Sequence, residues 1–306
     1  MNENWDVVII GAGPAGLAAA VYTGRARLKS LVLERGVPGG QILLTDFVEN
    51  YPGFPDGVVP FELMERFRVH AEKFGARIET DEARQIKKKD ERWLVVGTRG
   101  EYPTKAVIIS TGSSYRKLGV PGEEKLTGRG VSFCATCDGA FFRDQEVAVV
   151  GGGDNALNEA LFLTKYCKKV IIIHRRHMFR GVKILQERVF RNEKIEIIWD
   201  SVVEKISGEE KLESVTLKNV KNDETSVVKL DGLFVSIGTV PNSGFVKGLL
   251  KLNESNEIEV KNGMATSQPG IFAAGDVTNA CPQQMATAVG TGVAAALSVD
   301  EYLSGM

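Results

Sequence analysis

Residues 5–16 read WDVVIIGAGPAG, and this stretch decides the fold class of the chain. The β-branched run Trp5–Ile10 leads directly into the glycine turn 11–16, after which residues 17–22 have helical composition. Residues 31–34 (LVLE) then supply a second strand that ends in an acid. Strand, tight turn, helix and strand within ~30 residues are typical of a dinucleotide-binding βαβ unit.

A second copy of this pattern lies in the middle of the chain. It begins at Glu146–Val150, turns through residues 151–156 (GGGDNA), continues as a helix and returns as the strand 170–173. Internal repetition of a βαβ unit indicates two dinucleotide folds in one polypeptide. We therefore predict the α/β class, with two Rossmann-like domains built as three layers (ββα).

Composition limits the function classes. A chain of 306 residues with 43% hydrophobic residues can bury two cores of ordinary size. A formal net charge of −1, with no dominant run of like charge, argues against nucleic acid or an anionic membrane as partner. No apolar stretch reaches the ~20 residues of a membrane span. Four cysteines are too few for a secreted disulfide scaffold, so we expect a soluble, cytoplasmic protein.

The first glycine turn is a candidate pyrophosphate site. A glycine turn between strand and helix lets backbone N–H groups and the positive end of the helix dipole approach a phosphate. The alternative is a tight turn with a purely structural role. Its position between strand and helix, together with Glu34 as a hydrogen-bond acceptor for a ribose diol, favours an adenine dinucleotide.

The second turn has small residues at the three required positions, Gly151, Gly153 and Ala156. Where an NAD site would carry an acid, the following strand ends in the sequence 174–176 (HRR), with Arg180 shortly after. Guanidinium groups bind a 2′-phosphate through charge-assisted hydrogen bonds, whereas an acid would repel it. The second site therefore favours NADPH, and a solvated basic loop is the alternative.

The pair Cys134 and Cys137 is a candidate redox centre. A structural zinc site needs four protein ligands, and the other cysteines, Cys167 and Cys281, are isolated and expected to be buried and unreactive. A dithiol at this spacing can attack a foreign disulfide and then resolve the mixed disulfide. Asp138 follows directly as a candidate proton carrier, with helix capping as the alternative role. No metal is expected.

Taken together, these residues resemble the low-molecular-weight thioredoxin reductases of bacteria, archaea, fungi and plants over nearly the whole chain. The cysteine motif in its glycine-rich setting is the most specific element of this resemblance. The motifs that carry it are residues 11–16, 38–41 (PGGQ), 49–50 (EN), 134–139 (CATCDG), 151–156, 174–176 with Arg180, and 275–277 (GDV).

The resemblance implies a discontinuous FAD-binding domain, 1–113 and 241–306, with an NADPH-binding domain, 114–240, that carries the CxxC. It further implies thioredoxin-disulfide reductase activity, with electrons passing from NADPH to FAD, to the Cys134–Cys137 disulfide and on to thioredoxin. By the same analogy Cys137 faces the flavin, Cys134 attacks the partner and Asp138 acts as acid and base. The family also implies a homodimer, and rotation of the inserted domain about hinges near 113–117 and 237–241.

A closely related alternative keeps this electron route but ends at a glutaredoxin-like protein or a peroxiredoxin system. Two further function classes, a flavoprotein that passes single electrons to ferredoxin and a non-catalytic dinucleotide sensor, leave the CxxC beside Asp138 unexplained. NADH stays open as an additional donor, since the acid that is usual after the paired arginines is His177 here. The arginine of the family's Arg-Gln-Ala motif is also missing, because residues 283–285 read QQM.

The candidate site residues fall into three groups. The catalytic group is Cys134, Cys137 and Asp138. The expected FAD-binding residues are Gly11, Gly13, Pro14, Ala15, Gly16, Glu34, Arg35, Gly39, Gly40, Gln41, Asn50, Thr111, Gly112, Gly275, Asp276, Gln283, Gln284 and Met285. The expected NADPH-binding residues are Gly151, Gly153, Asp154, Asn155, Ala156, His174, Arg175, Arg176, Arg180, Ile237 and Gly238.

Overall fold

The structure is a computed structural model that describes residues 4–44, 48, 51–280 and 282–305. The chain divides into two compact units. The first unit comprises Met1–Ser114 and Val240–Met306, and the second comprises Tyr115–Thr239. Each unit has hydrophobic clusters of its own on both faces of its main sheet.

The secondary structure alternates strands and helices along most of the chain. The helices are α1 (Pro14–Arg25), α2 (Pro60–Lys73), α3 (Glu123–Leu126), α4 (Ala135–Asp138), α5 (Asp154–Leu163), α6 (Lys183–Phe190) and α7 (Met285–Ser304). The strands are β1 (Trp5–Ile10), β2 (Ser30–Glu34), β3 (Arg77–Thr80), β4 (Ala83–Lys89), β5 (Arg92–Gly97), β6 (Glu101–Ile109), β7 (Ser113–Tyr115), β8 (Val131–Ser132), β9 (Glu146–Val150), β10 (Lys169–Ile173), β11 (Ile195–Ile198), β12 (Ser201–Ser207), β13 (Ser214–Asn219), β14 (Thr225–Lys229), β15 (Gly232–Val235), β16 (Thr239–Pro241) and β17 (Ile271–Ala273). Short 3₁₀ turns include Gly139–Phe142 and Gly275–Val277.

The main sheet of the first unit has the order β3-β2-β1-β6-β5-β4, and β17 pairs with β6. Strand β1 runs parallel to both β2 and β6 at the centre of this sheet. Val7, Val8 and Ile9 are completely buried. A strand without an exposed face is expected where helices or loops cover both sides of a parallel sheet, and this explains its uninterrupted apolar run.

Helix α7 lies against α1 at very short range, as its glycine and alanine content predicts. A Cβ added at Gly292 would stand 2.1 Å from the backbone oxygen of Ala15, so only glycine fits at this contact. The contact holds the C-terminal helix against the first turn of α1, which is where the first glycine turn ends. The small residues of α7 therefore help to build the first candidate site.

The second unit has a parallel sheet with the order β11-β10-β9-β15-β8 and an antiparallel sheet β12-β13-β14. Val147 and Val149 of β9 are completely buried, and they pack in one cluster with Leu157 and Leu163 of α5. The predicted repetition of a βαβ unit is present here, since β9 and β10 pair in parallel on either side of α5 in the chain. The predicted α/β class with two Rossmann-like units is confirmed.

The chain crosses between the two units at two short strands. These strands, β7 and β16, pair with each other as a two-stranded sheet. The predicted hinge segments lie at these crossings, and domain rotation itself stays a prediction. In the part of the chain that the structure describes, no helix is long and apolar enough to cross a membrane.

Candidate active site

The first glycine turn is held tightly against a neighbouring strand. Gly11 has a φ of +102°, and a Cβ at this position would stand 2.5 Å from the backbone oxygen of Ser110. A Cβ at Gly16 would stand 1.9 Å from the oxygen of Gly11. Helix α1 begins with Pro14 at its first position and has no side-chain cap. Its first N–H groups are therefore available to an anion.

Glu34 lies at the end of β2, as predicted, and its carboxylate accepts a hydrogen bond from the first glycine turn. Its Oε2 accepts the backbone N–H of Ala12 at 2.8 Å, and its Oε1 accepts that of Gly36 at 3.0 Å. The carboxylate thus ties the glycine turn to the strand end. Each oxygen can accept a further hydrogen bond, so the predicted contact with a ribose stays a prediction. Arg35 is exposed beside it.

The segment 39–41 packs on the first turn. The Gly39 N–H donates to the oxygen of Ala12 at 2.8 Å, and a Cβ at Gly40 would stand 3.1 Å from the Cα of Gly13. The Gln41 amide donates to the backbone oxygen of Ser113. The structure thus brings this motif to the first glycine turn, while Asn50 lies outside the described residues.

Asn242 is a residue of the first unit that sequence reasoning missed. Its Nδ2 donates to the oxygen of Thr111 at 2.9 Å, and its backbone N–H donates to the oxygen of Gly112 at 2.9 Å. The Thr111 hydroxyl donates in return to the oxygen of Asn242 at 2.8 Å. Three hydrogen bonds thus fix the predicted pair Thr111 and Gly112, although Asn242 is 131 residues from Thr111 in sequence.

Asp276 lies on the 3₁₀ turn beside the start of α1. Gly275 has a φ of +74°, and a Cβ there would approach the Cβ of Ala15 to 3.0 Å. Burial raises the pKa of Asp276 to about 6. No group among the described residues hydrogen-bonds its carboxyl group. A half-buried carboxyl without a protein partner is suited to a ligand that carries hydroxyl groups.

The residues 283–285 mark the start of α7. Gln284 is the N-cap of this helix and forms a capping box with Thr287, so part of its hydrogen bonding serves the helix. Gln283 is exposed, and Met285 packs on the hydrophobic core. The structure therefore gives Gln284 a structural role in addition to the predicted contact with FAD.

The second glycine turn contains one crowded and one open glycine. A Cβ at Gly151 would stand 2.2 Å from the oxygen of Ser236 and 2.6 Å from the Cβ of Ala156. Ala156 is completely buried, which explains why a small residue is needed there. At Gly153, by contrast, no heavy atom lies within 4 Å of an added Cβ. Gly153 is thus the place where a phosphate could approach the backbone.

The two glycines support a paired prediction. We expect Gly151→Ala to lower the free energy of unfolding by at least about 2 kcal/mol, since its Cβ meets backbone and a packed methyl group. We expect Gly153→Ala to leave thermal stability within a few degrees of the wild type but to weaken NADPH binding about tenfold. Differential scanning calorimetry and an NADPH titration measure the two effects. Equal stability loss in both variants would contradict this assignment.

Asp154 and the basic loop are joined by backbone hydrogen bonds. The Arg180 N–H donates to the oxygen of Gly152 at 2.7 Å. The Val182 N–H donates to Oδ1 of Asp154 at 2.7 Å. The carboxylate of Asp154, which was predicted to contact NADPH, therefore holds the loop, and this contact places Arg180 next to the glycine turn.

His174 was predicted to bind a phosphate because it follows the strand end, but the structure gives its ring a different role. It is only 4% exposed, and its Nε2 lies 3.1 Å from the backbone oxygen of Met178. A Cβ at Gly152 would stand 2.3 Å from the His174 ring, so the ring packs directly beneath the turn. Burial lowers the pKa of His174, which keeps the ring neutral near pH 7. The ring therefore supports the turn and carries no charge for a phosphate.

A cavity of about 480 Å³ opens beside the second glycine turn. Three exposed guanidinium groups border it, those of Arg175, Arg180 and Arg116. Arg116 was missed from the sequence, whereas the predicted Arg176 does not line the cavity. None of the three forms an ion pair with a described carboxylate. The predicted residues that line the cavity are Gly151, Gly153, Asp154, Asn155, Ala156, His174, Arg175, Arg180, Ile237 and Gly238.

The cysteine segment forms a short turn after β8. Cys134 is half-buried and disulfide-bonded, and it precedes α4 as its N-cap residue. Its N–H donates to the hydroxyl of Ser132 at 3.1 Å, and its Sγ lies 3.3 Å from the Thr136 hydroxyl. The Cys137 side chain lies outside the described part of the structure. Cys134 is thus in the oxidised state of the predicted redox chemistry.

Asp138 ends α4 and stands before the 3₁₀ turn. Its carboxylate caps neither element, so the helix-capping alternative is wrong for this residue. Among the other cysteines, Cys167 is a completely buried free thiol, and burial raises its pKa to about 11. This agrees with an unreactive thiol. Cys281 lies outside the described residues.

Glu159 is a second carboxyl group near the cysteine segment that sequence reasoning did not assign to the site. It lies on α5 and accepts hydrogen bonds from the backbone N–H of Ala135 and from the side chain of Ser236. Its Oε2 is buried and has no hydrogen-bond partner among the described residues. Burial raises the pKa of Glu159 to about 7. Neither the strand pattern nor the cysteine spacing predicts that α5 lies beside Ala135.

Comparison with known proteins places this geometry in context. The profile of the pyridine nucleotide-disulphide oxidoreductase family matches residues 5–292. The chain is 47% identical over 300 residues to a thioredoxin reductase of Bacillus subtilis, covering 98% of this chain and 95% of that protein. A thioredoxin reductase of Streptomyces coelicolor is 45% identical over 309 residues, covering 100% and 96%. The crystal structure of Lactococcus lactis thioredoxin reductase (FR conformation) is 43% identical, covers 99% and 100%, and has a TM-score of 0.88.

Proposed function

The chain belongs to the pyridine nucleotide-disulphide oxidoreductase family, and on this premise we propose that it reduces the disulfide of thioredoxin with NADPH, FAD and its own cysteine pair. The predicted family, enzyme class and cofactors are confirmed. The observation that carries the proposal is the disulfide-bonded Cys134 within a CxxC, in a unit whose glycine turn is bordered by three guanidinium groups that form no ion pair with a described carboxylate.

The residues of the first unit fit an FAD molecule. FAD, when bound, supplies two-electron chemistry between a nicotinamide and a disulfide. Gly11, Gly13 and the uncapped start of α1 would bind its pyrophosphate, and Glu34 would bind a ribose. Asp276 would accept hydrogen bonds from the hydroxyl-bearing portion of the cofactor. The fit rests on the crowding at Gly11 and Gly16, which excludes side chains from the turn, and on the carboxyl group of Asp276, which no described residue hydrogen-bonds.

The residues of the second unit fit NADPH. Gly153 leaves the backbone open to the pyrophosphate, and Arg175, Arg180 and Arg116 would bind the 2′-phosphate. Because none of these guanidinium groups has a described carboxylate partner, binding an anion there breaks no ion pair. NADH, which lacks the 2′-phosphate, would bind more weakly but stays possible as an additional donor.

The cysteine pair would carry the exchange step. Two electrons and two protons convert the disulfide into two thiols, and the Cys134 thiolate then attacks a sulfur of the partner disulfide. The partner's other sulfur leaves as a thiolate and takes up a proton, for which Asp138 is the nearest uncommitted acid in sequence. Attack of the Cys137 sulfur on Cys134 then releases the reduced partner and restores the disulfide. Cys134 is half-buried, so part of its surface is accessible to solvent.

Phe141 is the most exposed large hydrophobic side chain of the described chain, at 78%, and it follows Asp138 by three residues. An exposed aromatic beside a redox turn is suited to bind a protein partner. We expect Phe141→Ala to raise the KM for thioredoxin about tenfold and to leave the KM for NADPH unchanged, in an assay of NADPH oxidation. The control is Val227→Ala, another strongly exposed apolar residue, which lies on β14 and is 67% exposed.

The same assay decides among acceptors. Thioredoxin should support turnover at far lower concentration than a glutaredoxin-like protein or a peroxiredoxin system. Preference for one of these acceptors, with no effect of Phe141→Ala on thioredoxin, would refute the proposed partner. We also propose a cytoplasmic homodimer; the exposed apolar side chains Phe61 and Val69 on α2 of the first unit support a contact between copies.

A further inference from the structure

We propose that Glu159 is a positioning residue that controls the thiolate form of the reduced cysteine pair by taking up one proton when the Cys134 thiol ionises. The inference rests on the proposed role of Cys134 in thiol-disulfide exchange. It assigns a function to a buried carboxyl group that the proposed mechanism does not otherwise use.

Glu159 lies beside the redox turn. Its carboxyl group accepts the N–H of Ala135, which is the residue directly after Cys134. It also accepts a hydrogen bond from Ser236, and Ser236 lines the cavity beside the second glycine turn. Since no described group bonds Oε2, both hydrogen bonds go to the other oxygen. Glu159 therefore connects the backbone of the redox turn with the wall of the candidate dinucleotide cavity.

Titratable groups lie on several elements around Glu159. Tyr115 on β7 interacts with its charge, and Cys134 and Asp138 lie at α4, which packs against α5. The other elements packed against α5 carry titratable groups that do not contribute to the pKa of Glu159, namely Glu146 on β9, Lys169 on β10, and Lys183, Glu187 and Arg188 on α6. Burial, and then the charge of Glu159, raise the pKa of Tyr115, so that tyrosine stays neutral. Its ring stacks on Phe133, with 6.0 Å between the ring centroids. No lysine, arginine or histidine contributes to the pKa of Glu159. A negative charge at this carboxyl group is therefore not neutralised by a cation.

The ionisation of Glu159 and the ionisation of Cys134 are coupled. Burial raises the pKa of Glu159 to about 7, close to the pH at which a thiol of the reduced pair would have to ionise. The carboxyl group of Glu159 is hydrogen-bonded to the residue directly after Cys134, and two neighbouring negative charges in a poorly solvated place disfavour each other. The ionised carboxylate thus opposes the Cys134 thiolate. When Cys134 loses its proton, Glu159 gains one, and the net charge of the segment is unchanged.

The test is the pH dependence of Cys134 alkylation in the reduced holoenzyme. Iodoacetamide reacts with the thiolate only, and mass spectrometry of the Cys134 peptide gives the rate without any protein acceptor. Glu159→Gln keeps the shape and an acceptor oxygen but cannot ionise. We expect the variant and the wild type to react at similar rates at pH 5.5, and the variant to react several-fold faster at pH 8. Asn158→Ala, an exposed neighbour on α5, is the control and should follow the wild type.

Two outcomes would overturn the inference. If the ratio of the alkylation rates of Glu159→Gln and wild type stays constant from pH 5.5 to 8, whether at one or at another value, Glu159 has a merely structural role. Ser236→Ala gives a second measurement. The hydrogen bond from Ser236 lowers the pKa of Glu159, so its loss should place the inflection of the alkylation profile at higher pH in this variant than in the wild type. Failure of the chain to reduce thioredoxin would refute the proposed function but would leave these alkylation profiles interpretable, so the two failures are distinguishable.

Discussion

Replacement of Cys134 by serine is expected to lower NADPH-dependent thioredoxin reduction at least about 1,000-fold, while NADPH still bleaches the flavin of the same protein. A serine hydroxyl cannot form the disulfide that Cys134 forms, and it is not ionised near pH 7. Both reactions are followed in one spectrophotometer, with thioredoxin present for the first and absent for the second. If thioredoxin reduction is lost while flavin bleaching is kept, the variant has lost the dithiol and has kept cofactor binding.

The matched control for this variant is Cys167→Ala. Cys167 is a free thiol in the core of the second unit, and burial raises its pKa to about 11. We expect this variant to keep its turnover and to lose only about 1 kcal/mol of stability, because a small buried side chain is shortened. Turnover retained by Cys134→Ser, or lost in Cys167→Ala without unfolding, would contradict the assignment of the redox centre.

The double variant Arg175→Ala with Arg180→Ala is expected to lower kcat/KM for NADPH about 100-fold and to change kcat/KM for NADH by less than about threefold. Each substitution removes a guanidinium group that would form charge-assisted hydrogen bonds with the 2′-phosphate of NADPH. NADH has no 2′-phosphate, so its binding should change little. Both side chains are exposed at the cavity, so the effect should shrink at high ionic strength. Steady-state assays with both nicotinamides at two salt concentrations measure it.

Arg176→Ala is the control for the double variant. Arg176 is exposed and carries the same charge, but it does not line the cavity beside the glycine turn. We expect its kcat/KM for NADPH to stay within about twofold of the wild type. If Arg176→Ala were as severe as the double variant, general attraction of anions to a basic loop would explain the data, and the alternative of a solvated basic loop would be favoured.

The sequence predicted the parts of the site that depend on local order along the chain. Both glycine turns follow from a strand, a turn and a helix in succession, and the positive φ of Gly11 shows why glycine is required there. The cysteine pair follows from its own spacing. These features could be predicted because each is confined to one short segment whose backbone geometry its residue types determine.

Other parts of the site depend on contacts between distant segments, and the sequence could not predict them. His174 and Arg175 are neighbours in a basic motif, yet the histidine ring turns inward because Gly152 leaves space for it and Met178 offers an acceptor. Arg116 reaches the cavity beside the second glycine turn from a segment that is far from that motif in sequence. Glu159 accepts a hydrogen bond from Ala135 only because the fold brings α5 beside the cysteine segment.

The central claim is that electrons from NADPH reach the Cys134 disulfide. The most direct measurement is anaerobic reduction of the FAD-loaded chain with excess NADPH, followed by alkylation and mass spectrometry of the Cys134 peptide. We predict that the flavin bleaches and that Cys134 is alkylated only after NADPH is added. A bleached flavin with Cys134 still in its disulfide would contradict the claim.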